Sequence, residues 1–133
     1  MIVCLDTNII IYLVEHNAVW TPKALARFNA SLKAREEIVV CDAARVECLI
    51  KPLASKNLAD EARFRAFFGN PLVRMLPVST ATWDHAARIG ATFGLKALDS
   101  VHLATAIEHG CDLFLTNDVQ LARCTGITVE VLT

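Results

Sequence analysis

The chain lacks any run of eighteen or more uncharged apolar residues, so no segment qualifies as a membrane-spanning helix. Its opening, Met1-Ile2-Val3-Cys4-Leu5-Asp6, lacks the basic stretch of a secretory signal and meets an acid after four apolar side chains. The five cysteines (Cys4, Cys41, Cys48, Cys111 and Cys124) contain no C-x-x-C pair. An odd, scattered set argues against a disulfide framework and a closed zinc site. The five glycines form no G-x-G-x-x-G, and neither G-K-[ST] nor G-x-S-x-G occurs. Dinucleotide, P-loop and serine-hydrolase readings therefore fail. Charge of one sign is also missing: 13 Lys and Arg face 14 Asp and Glu, a formal net charge of -1. That balance excludes a histone-like or tail-driven nucleic-acid binder. No repeat, low-complexity stretch or linker interrupts the 133 residues. These absences predict one domain in a reducing, cytoplasmic compartment.

What is present is enough apolar material for a core, with hydrophobic residues at 54% and charged residues at 20%. Apolar runs rich in β-branched residues predict strands at 2–5, 38–41, 73–78, 113–115 and 127–131, the third ending at Pro77. Between them, a short helix is expected over 9–14 after the break at Asp6-Thr7-Asn8. Thr21-Pro22 reads as an N-cap and first-turn proline for a helix over 22–34. Asp42 would cap the next helix, which carries Glu47 and stops before Pro52. Further helices fit 58–68, 80–93 before Gly94, and a nearly apolar one from Asp99 to His109, followed by a short one at 119–123. Short apolar strands separated by helices imply a parallel sheet covered on both faces, a three-layer α/β/α sandwich.

In an open parallel sheet, ligands bind at the carboxyl ends of the strands. Asp6 follows the first strand and Asp118 follows the strand at 113–115. Glu47 and Asp99 lie near helix starts, and all four acids have apolar neighbours in the sequence. Unpaired carboxylates rarely stay buried. Two unit charges about 4 Å apart would repel by roughly 4 kcal/mol at an effective dielectric near 20. Either some of the acids protonate or a divalent cation sits among them. Oxygen ligands without histidine or cysteine at metal spacing favour Mg²⁺ or Mn²⁺ over Zn²⁺. Such a site suits metal-assisted phosphodiester hydrolysis. Each acid alone has a plainer role: Asp6 and Asp118 as turn-amide acceptors, Asp99 as an N-cap, Glu47 on an exposed helix edge.

Four segments together resemble the PIN domain, and within it the VapC-type toxins of bacterial and archaeal toxin–antitoxin pairs. They are Ile2-Val3-Cys4-Leu5-Asp6-Thr7-Asn8, Val46-Glu47-Cys48-Leu49, the run from Leu95-Lys96-Ala97-Leu98-Asp99-Ser100 through Val101-His102-Leu103-Ala104-Thr105-Ala106, and Leu113-Phe114-Leu115-Thr116-Asn117-Asp118. The resemblance implies a Mg²⁺- or Mn²⁺-dependent ribonuclease whose metal-binding acids fall on Asp6, Asp99 and Asp118, with Glu47 completing the cluster. It implies hydrogen-bonding support from Asn8 and Thr116, a homodimer, and an antitoxin that inhibits the acidic site. One departure is local: Cys41-Asp42-Ala43-Ala44-Arg45 lacks the serine and threonine that often precede the family's glutamate.

RNA would need a local basic surface, not a basic total. Arg45, Lys51 and Lys96 flank the acids in sequence and are the candidate RNA contacts, with ordinary solvated surface as their plainer role. If the four acids hold a cation, the remaining ten acids face 13 basic residues. His102 follows Asp99 by one helical turn, so it could face the site, with a buried histidine bonded to a backbone carbonyl as its plainer role. Trp20 and Trp83 are expected in the core or at a dimer interface. Two rivals remain. A haloacid-dehalogenase-like phosphatase or receiver would also place an Asp after strand one. However, Asn8 stands where the phosphatase needs a second Asp, and no lysine follows Lys96 for a receiver. The other rival is a PIN-like module that binds RNA or protein without cutting.

Overall fold

The four-residue apolar strand Ile2–Leu5 (β1) occupies the middle of a five-stranded parallel sheet in the computed structural model, which describes residues Met1–Thr133. The other strands are Glu37–Cys41 (β2), Val73–Leu76 (β3), Leu113–Thr116 (β4) and Thr128–Val131 (β5), in spatial order β3-β2-β1-β4-β5. Every neighbouring pair is parallel, with Cys4 opposite both Val39 and Phe114. Helices Thr7–Val14 (α1), Trp20–Lys33 (α2), Ala44–Ala54 (α3), Leu58–Phe68 (α4), Thr80–Phe93 (α5) and Ala97–Glu108 (α6) fill the connections. A 3-10 turn, Val119–Arg123, links β4 to β5.

Strand side chains alternate between two faces, and both faces are apolar. Val3, Leu5, Ile38, Val40, Leu113 and Leu115 pack with residues of α1 to α4 such as Ile9, Ala24, Leu49 and Phe64. Cys4, Val39, Cys41, Leu76 and Phe114 pack with residues of α5 and α6, among them Ile89, Val101 and Leu103. Two cores on opposite faces give a three-layer α/β/α sandwich. Burying a side chain such as Leu5 or Phe114 contributes about 1.5–3 kcal/mol relative to exposure. All five cysteines are free thiols, and four of them are buried. No helix is long and apolar enough to cross a membrane.

Several element ends differ from expectation for local reasons. The first helix begins at Thr7, because the carboxylate of Asp6 accepts from the Thr7 N–H at 2.8 Å and caps it. α2 begins two residues before Pro22, since Asn17 Oδ1 accepts from the N–H groups of Val19 and Trp20. Thr21 does not cap; its hydroxyl donates to the Tyr12 carbonyl at 2.7 Å. Asp42 provides no side-chain cap for α3, and that helix runs past the buried Pro52 to Ala54. β3 closes at Leu76, one residue before Pro77.

The packing of α5 against α6 sets the start of α6. Gly94 ends α5 in the left-handed region at φ 66°, which glycine adopts without a Cβ penalty. A Cβ at Gly90 would lie 3.1 Å from the Ser100 hydroxyl and 3.3 Å from the Leu95 carbonyl. The two helices thus approach closely just where Asp99 leaves the first turn of α6.

Candidate active site

Chain order sends β2 and β3 to one side of β1, and β4 and β5 to the other. The crevice between β1 and β4 is the switch point at which open α/β sheets bind ligands. Asp6 lies there, immediately after β1, and its N–H extends the ladder by donating to the Leu115 carbonyl at 2.8 Å. Its carboxylate is buried and each oxygen accepts one hydrogen bond: Oδ1 from Thr7 N–H, and Oδ2 from the Thr116 hydroxyl at 2.7 Å. Desolvation raises the Asp6 pKa from its ordinary value, against the opposing charge of His102 and the bonds from Thr116 and Thr7.

Thr116, the last residue of β4, is completely buried. Besides donating to Asp6, its oxygen accepts from Asp118 N–H at 3.0 Å and from Asn8 Nδ2 at 3.4 Å. Asn8 Oδ1 accepts from Asn117 N–H at 3.2 Å, and Asn117 Nδ2 donates to the Tyr12 hydroxyl at 2.8 Å. The residues singled out as supports, Asn8 and Thr116, are thus hydrogen-bonded between Asp6 and Asp118. Asp118 caps the 3-10 turn through Oδ1, which accepts from Gln120 N–H at 3.0 Å. Its plainer role as a turn-amide acceptor is real, and its backbone is tied to Asp6 through the Thr116 hydroxyl.

Asp99 is the third residue of α6, not its cap; the capping position is Lys96. Half-buried, it has its pKa raised by desolvation first, then by the negative charges of Asp6, Asp118 and Glu47. Asp99 therefore sits in the field of all three other acids. Glu47 projects from the first turn of α3. Burial disfavours its charge, but hydrogen bonds from His102 and Thr7 hold its pKa below the ordinary glutamate value. Thr7 Oγ1 donates to Glu47 Oε1 at 2.9 Å, and His102 Nε2 bonds the same oxygen.

His102 departs from its plainer role. It is fully buried, yet bonded to the side chain of Glu47, with Thr7 Oγ1 3.2 Å from the same Nε2, and to no backbone carbonyl. Its Nδ1 has no hydrogen-bond partner. Burial works against charge on this ring, but the bond to Glu47 and the field of Asp6 push its pKa up. Thr7 was not singled out in the sequence, although it directly follows Asp6. The signal available was a pair of polar groups without local explanation, Glu47 and His102, each on an apolar helix stretch. The hydroxyls missing ahead of Glu47 are replaced by contacts from α1 and α6.

The donor set is oxygen-only, because the one imidazole nearby is engaged with Glu47. No three of these side chains converge within direct chelating distance of one point. Such a set fits a hard cation held by one or two carboxylates that keeps several of its waters, as Mg²⁺ does. Among the basic residues, Arg45 is exposed with its guanidinium 5.2 Å from the Phe68 ring centroid. Lys51 is 78% exposed and lies 3.5 Å from Glu15, and Lys96 is exposed at the start of α6. Trp20 stacks on Tyr12, whereas Trp83 is 52% exposed on α5 and so is not a core residue. Two surface cavities of about 330 and 340 Å³ lie between α5 and α6 and between α1 and α4; none of the four acids lines either.

The fold is shared with solved structures of low sequence identity. VapBC2 from Rickettsia felis, bound to a DNA fragment from their promoter, matches over 100% of both chains at TM-score 0.81 and 15% identity. DNA-bound VapBC from Salmonella typhimurium matches over 98% of each chain, with TM-score 0.73 and 21% identity. VapC20 from Mycobacterium tuberculosis, a Sarcin-Ricin loop cleaving toxin, matches over 84% of this chain and 86% of its own, with TM-score 0.68 and 10% identity. No curated protein sequence matches the chain. The family model of the PIN domain matches residues 3–126, which run from Val3 of β1 through β4 and hold the acids Asp6, Glu47, Asp99 and Asp118, and the chain belongs to that family.

Proposed function

We propose that this protein is a Mg²⁺- or Mn²⁺-dependent endoribonuclease that hydrolyses RNA phosphodiester bonds, the toxin of a VapBC-type toxin–antitoxin pair. One arrangement carries the reading: the Thr116 hydroxyl joins buried Asp6 to the backbone of Asp118 at the crevice between β1 and β4, and the charge of half-buried Asp99 is disfavoured by desolvation and by Asp6, Asp118 and Glu47, a repulsion that a bound divalent cation would relieve. Asp6, Asp99 and Asp118, with Glu47 completing the cluster, would hold the cation partly through its own waters. When bound, the cation would neutralise charge on the phosphodiester and activate water. The chain's own part is positional. Thr7 N–H and the Thr116 hydroxyl fix both oxygens of Asp6, and Thr116 also fixes the backbone of Asp118. Asp99 reaches the same crevice from the first turn of α6, whose position follows from the close packing on α5. Arg45, Lys51 and Lys96 would bind RNA phosphates around the crevice.

The protein would act in the cytoplasm as a homodimer, for which the exposed Trp83 on α5 offers apolar surface. Its partner would be a small antitoxin protein that blocks the acidic crevice, a reading supported by the VapBC neighbours. A second reading is RNA or partner binding without cleavage, favoured by the absence of a ready-made three-ligand chelate. Purified protein incubated with RNA and Mg²⁺ or Mn²⁺ separates the two. Cleavage that stops with EDTA and in Asp99→Asn supports the nuclease. Cleavage that survives either treatment, or RNA bound without cleavage, overturns it.

A further inference from the structure

α6 carries Asp99 and His102 at i and i+3, so both lie on one helix face. The stretch around His102 is Val101, Leu103 and Ala104, all buried, and a leucine there would pack without leaving a ring nitrogen unpaired. His102 Nδ1 is such a nitrogen. A buried polar atom without a partner costs free energy, so what the ring gains must come from its other nitrogen. Nε2 meets Glu47 Oε1 and Thr7 Oγ1. The single Thr7 hydroxyl proton goes to Oε1 at 2.9 Å. A bare Nε2 would therefore face a carboxylate and an oxygen with no proton to offer, which is repulsive. Nε2 thus carries a proton directed at Glu47, whether the ring is neutral or charged.

Oε1 thereby accepts two hydrogen bonds from the protein, leaving Oε2 as the free oxygen of a side chain that is 27% exposed. We propose that His102 is a positioning residue for Glu47: with Thr7 it occupies Oε1, so that Glu47 offers the acidic crevice one oxygen, Oε2, and does not chelate through both. The inference rests on the metal-nuclease reading and assigns Glu47 a different part from Asp99, whose carboxylate has no donor of this kind. Glu47 acts as a fixed single-oxygen arm, suited to orienting a water or binding a cation through one oxygen. Groups that orient metal-site carboxylates in this way typically change affinity or activity by about 10–100-fold when removed.

The test compares wild type, His102→Leu and His102→Gln by Mn²⁺ titration without RNA, followed by the EPR signal of free Mn²⁺, and by steady-state RNA cleavage. Leucine fills the site without a donor, whereas glutamine places an amide N–H near the position of Nε2. We expect His102→Leu to weaken Mn²⁺ binding and lower kcat by about 10–100-fold with KM for RNA little changed. Glutamine should recover most of both. Equal Mn²⁺ affinity and kcat in His102→Leu, or no recovery in His102→Gln, overturns the proposal.

An NMR measurement needs neither metal nor RNA. In protein with ¹⁵N-labelled histidine, the Nε2 proton of His102 should resonate far downfield and move upfield in Glu47→Gln. An Nε2 proton indifferent to that change overturns the proposal, even if leucine does not fold at position 102. If wild type binds no Mn²⁺ and cuts no RNA, the nuclease reading fails, while the imidazole signal still decides whether His102 holds Glu47.

Discussion

The hydroxyl of Thr116 donates to Oδ2 of Asp6 at 2.7 Å, joining the end of β4 to the acid that follows β1. The same oxygen accepts the Asp118 N–H at 3.0 Å, so one side chain sets the spacing of two acids contributed by neighbouring strands. Serving as donor and acceptor at once requires a hydroxyl, and burial removes water as a substitute.

Thr116→Val keeps the shape and deletes the bonding. Asp6 loses a buried donor to its carboxylate, and the Asp118 N–H loses its acceptor. Hydrogen bonds to charged groups contribute about 1.5–3 kcal/mol, and the expected loss of stability is of that size. A urea titration checks it through a lower midpoint with an unchanged m-value. RNA cleavage should fall as well, because Asp118 is no longer held beside Asp6.

Asp99 carries the pH dependence. Its pKa is raised in the fold by desolvation and by the charges of Asp6, Asp118 and Glu47. A raised folded-state pKa means that the contribution to stability is fully present below the unfolded value, about 3.9, and is lost as pH rises through the folded value. Metal-free Asp99→Asn should therefore melt at a higher temperature than wild type at pH 7, with the difference closing as pH falls to about 4. Asp6→Asn should gain less, because the substitution disturbs the acceptor of the Thr116 hydroxyl. Melting temperatures of both variants across pH 4–8 in EDTA decide the matter; a lower melting temperature for Asp99→Asn at pH 7 contradicts the repulsion argument.

The sheet was legible because the buried residues 3–5, 38–41 and 113–115 of β1, β2 and β4 face apolar layers on both sides and read as apolar runs. Helix ends were less so. Pro52 looked like a stop, but it falls in the last turn of α3, and the helix continues two residues beyond it. Asn17, outside the apolar pattern, caps α2 ahead of the expected Thr21. The acids themselves could be picked out, since carboxylates beside apolar strand ends have few structural reasons to be there. Their partners could not: the Glu47–His102 bond spans 55 residues and three elements, and local sequence carries no record of it. Whether three carboxylates meet at one point is likewise a matter of side-chain geometry, and here they stop short of direct chelation.

Cation binding should stabilise the fold, since folding sets Asp99 in the field of Asp6 and Asp118 and the unfolded chain does not. At a concentration about 100 times Kd, the linkage amounts to about 2.7 kcal/mol. Adding Mg²⁺ or Mn²⁺ should raise the melting temperature of wild type at pH 7, and EDTA should reverse the change. The rise should vanish in the double variant Asp99→Asn/Asp118→Asn. A rise that persists there would place the cation elsewhere.

Substitution of Arg45, Lys51 and Lys96 would test RNA binding separately from the proposed metal site. All three are exposed, and their engagements within the protein are weak: Arg45 lies over an aromatic ring, and Lys51 makes a surface ion pair at 3.5 Å. Replacing them with alanine should leave the fold and Mn²⁺ affinity unchanged. Each phosphate contact to a single strand contributes about 0.7 to the slope of log K against log salt. If all three touch phosphate, the triple variant should bind single-stranded RNA more weakly at low salt, with a slope shallower by about 2. The measurement is a fluorescence-anisotropy titration of a labelled oligonucleotide at several salt concentrations, in Asp99→Asn to prevent cutting. An unchanged slope removes these residues from the RNA path and directs the search to the basic residues of other elements.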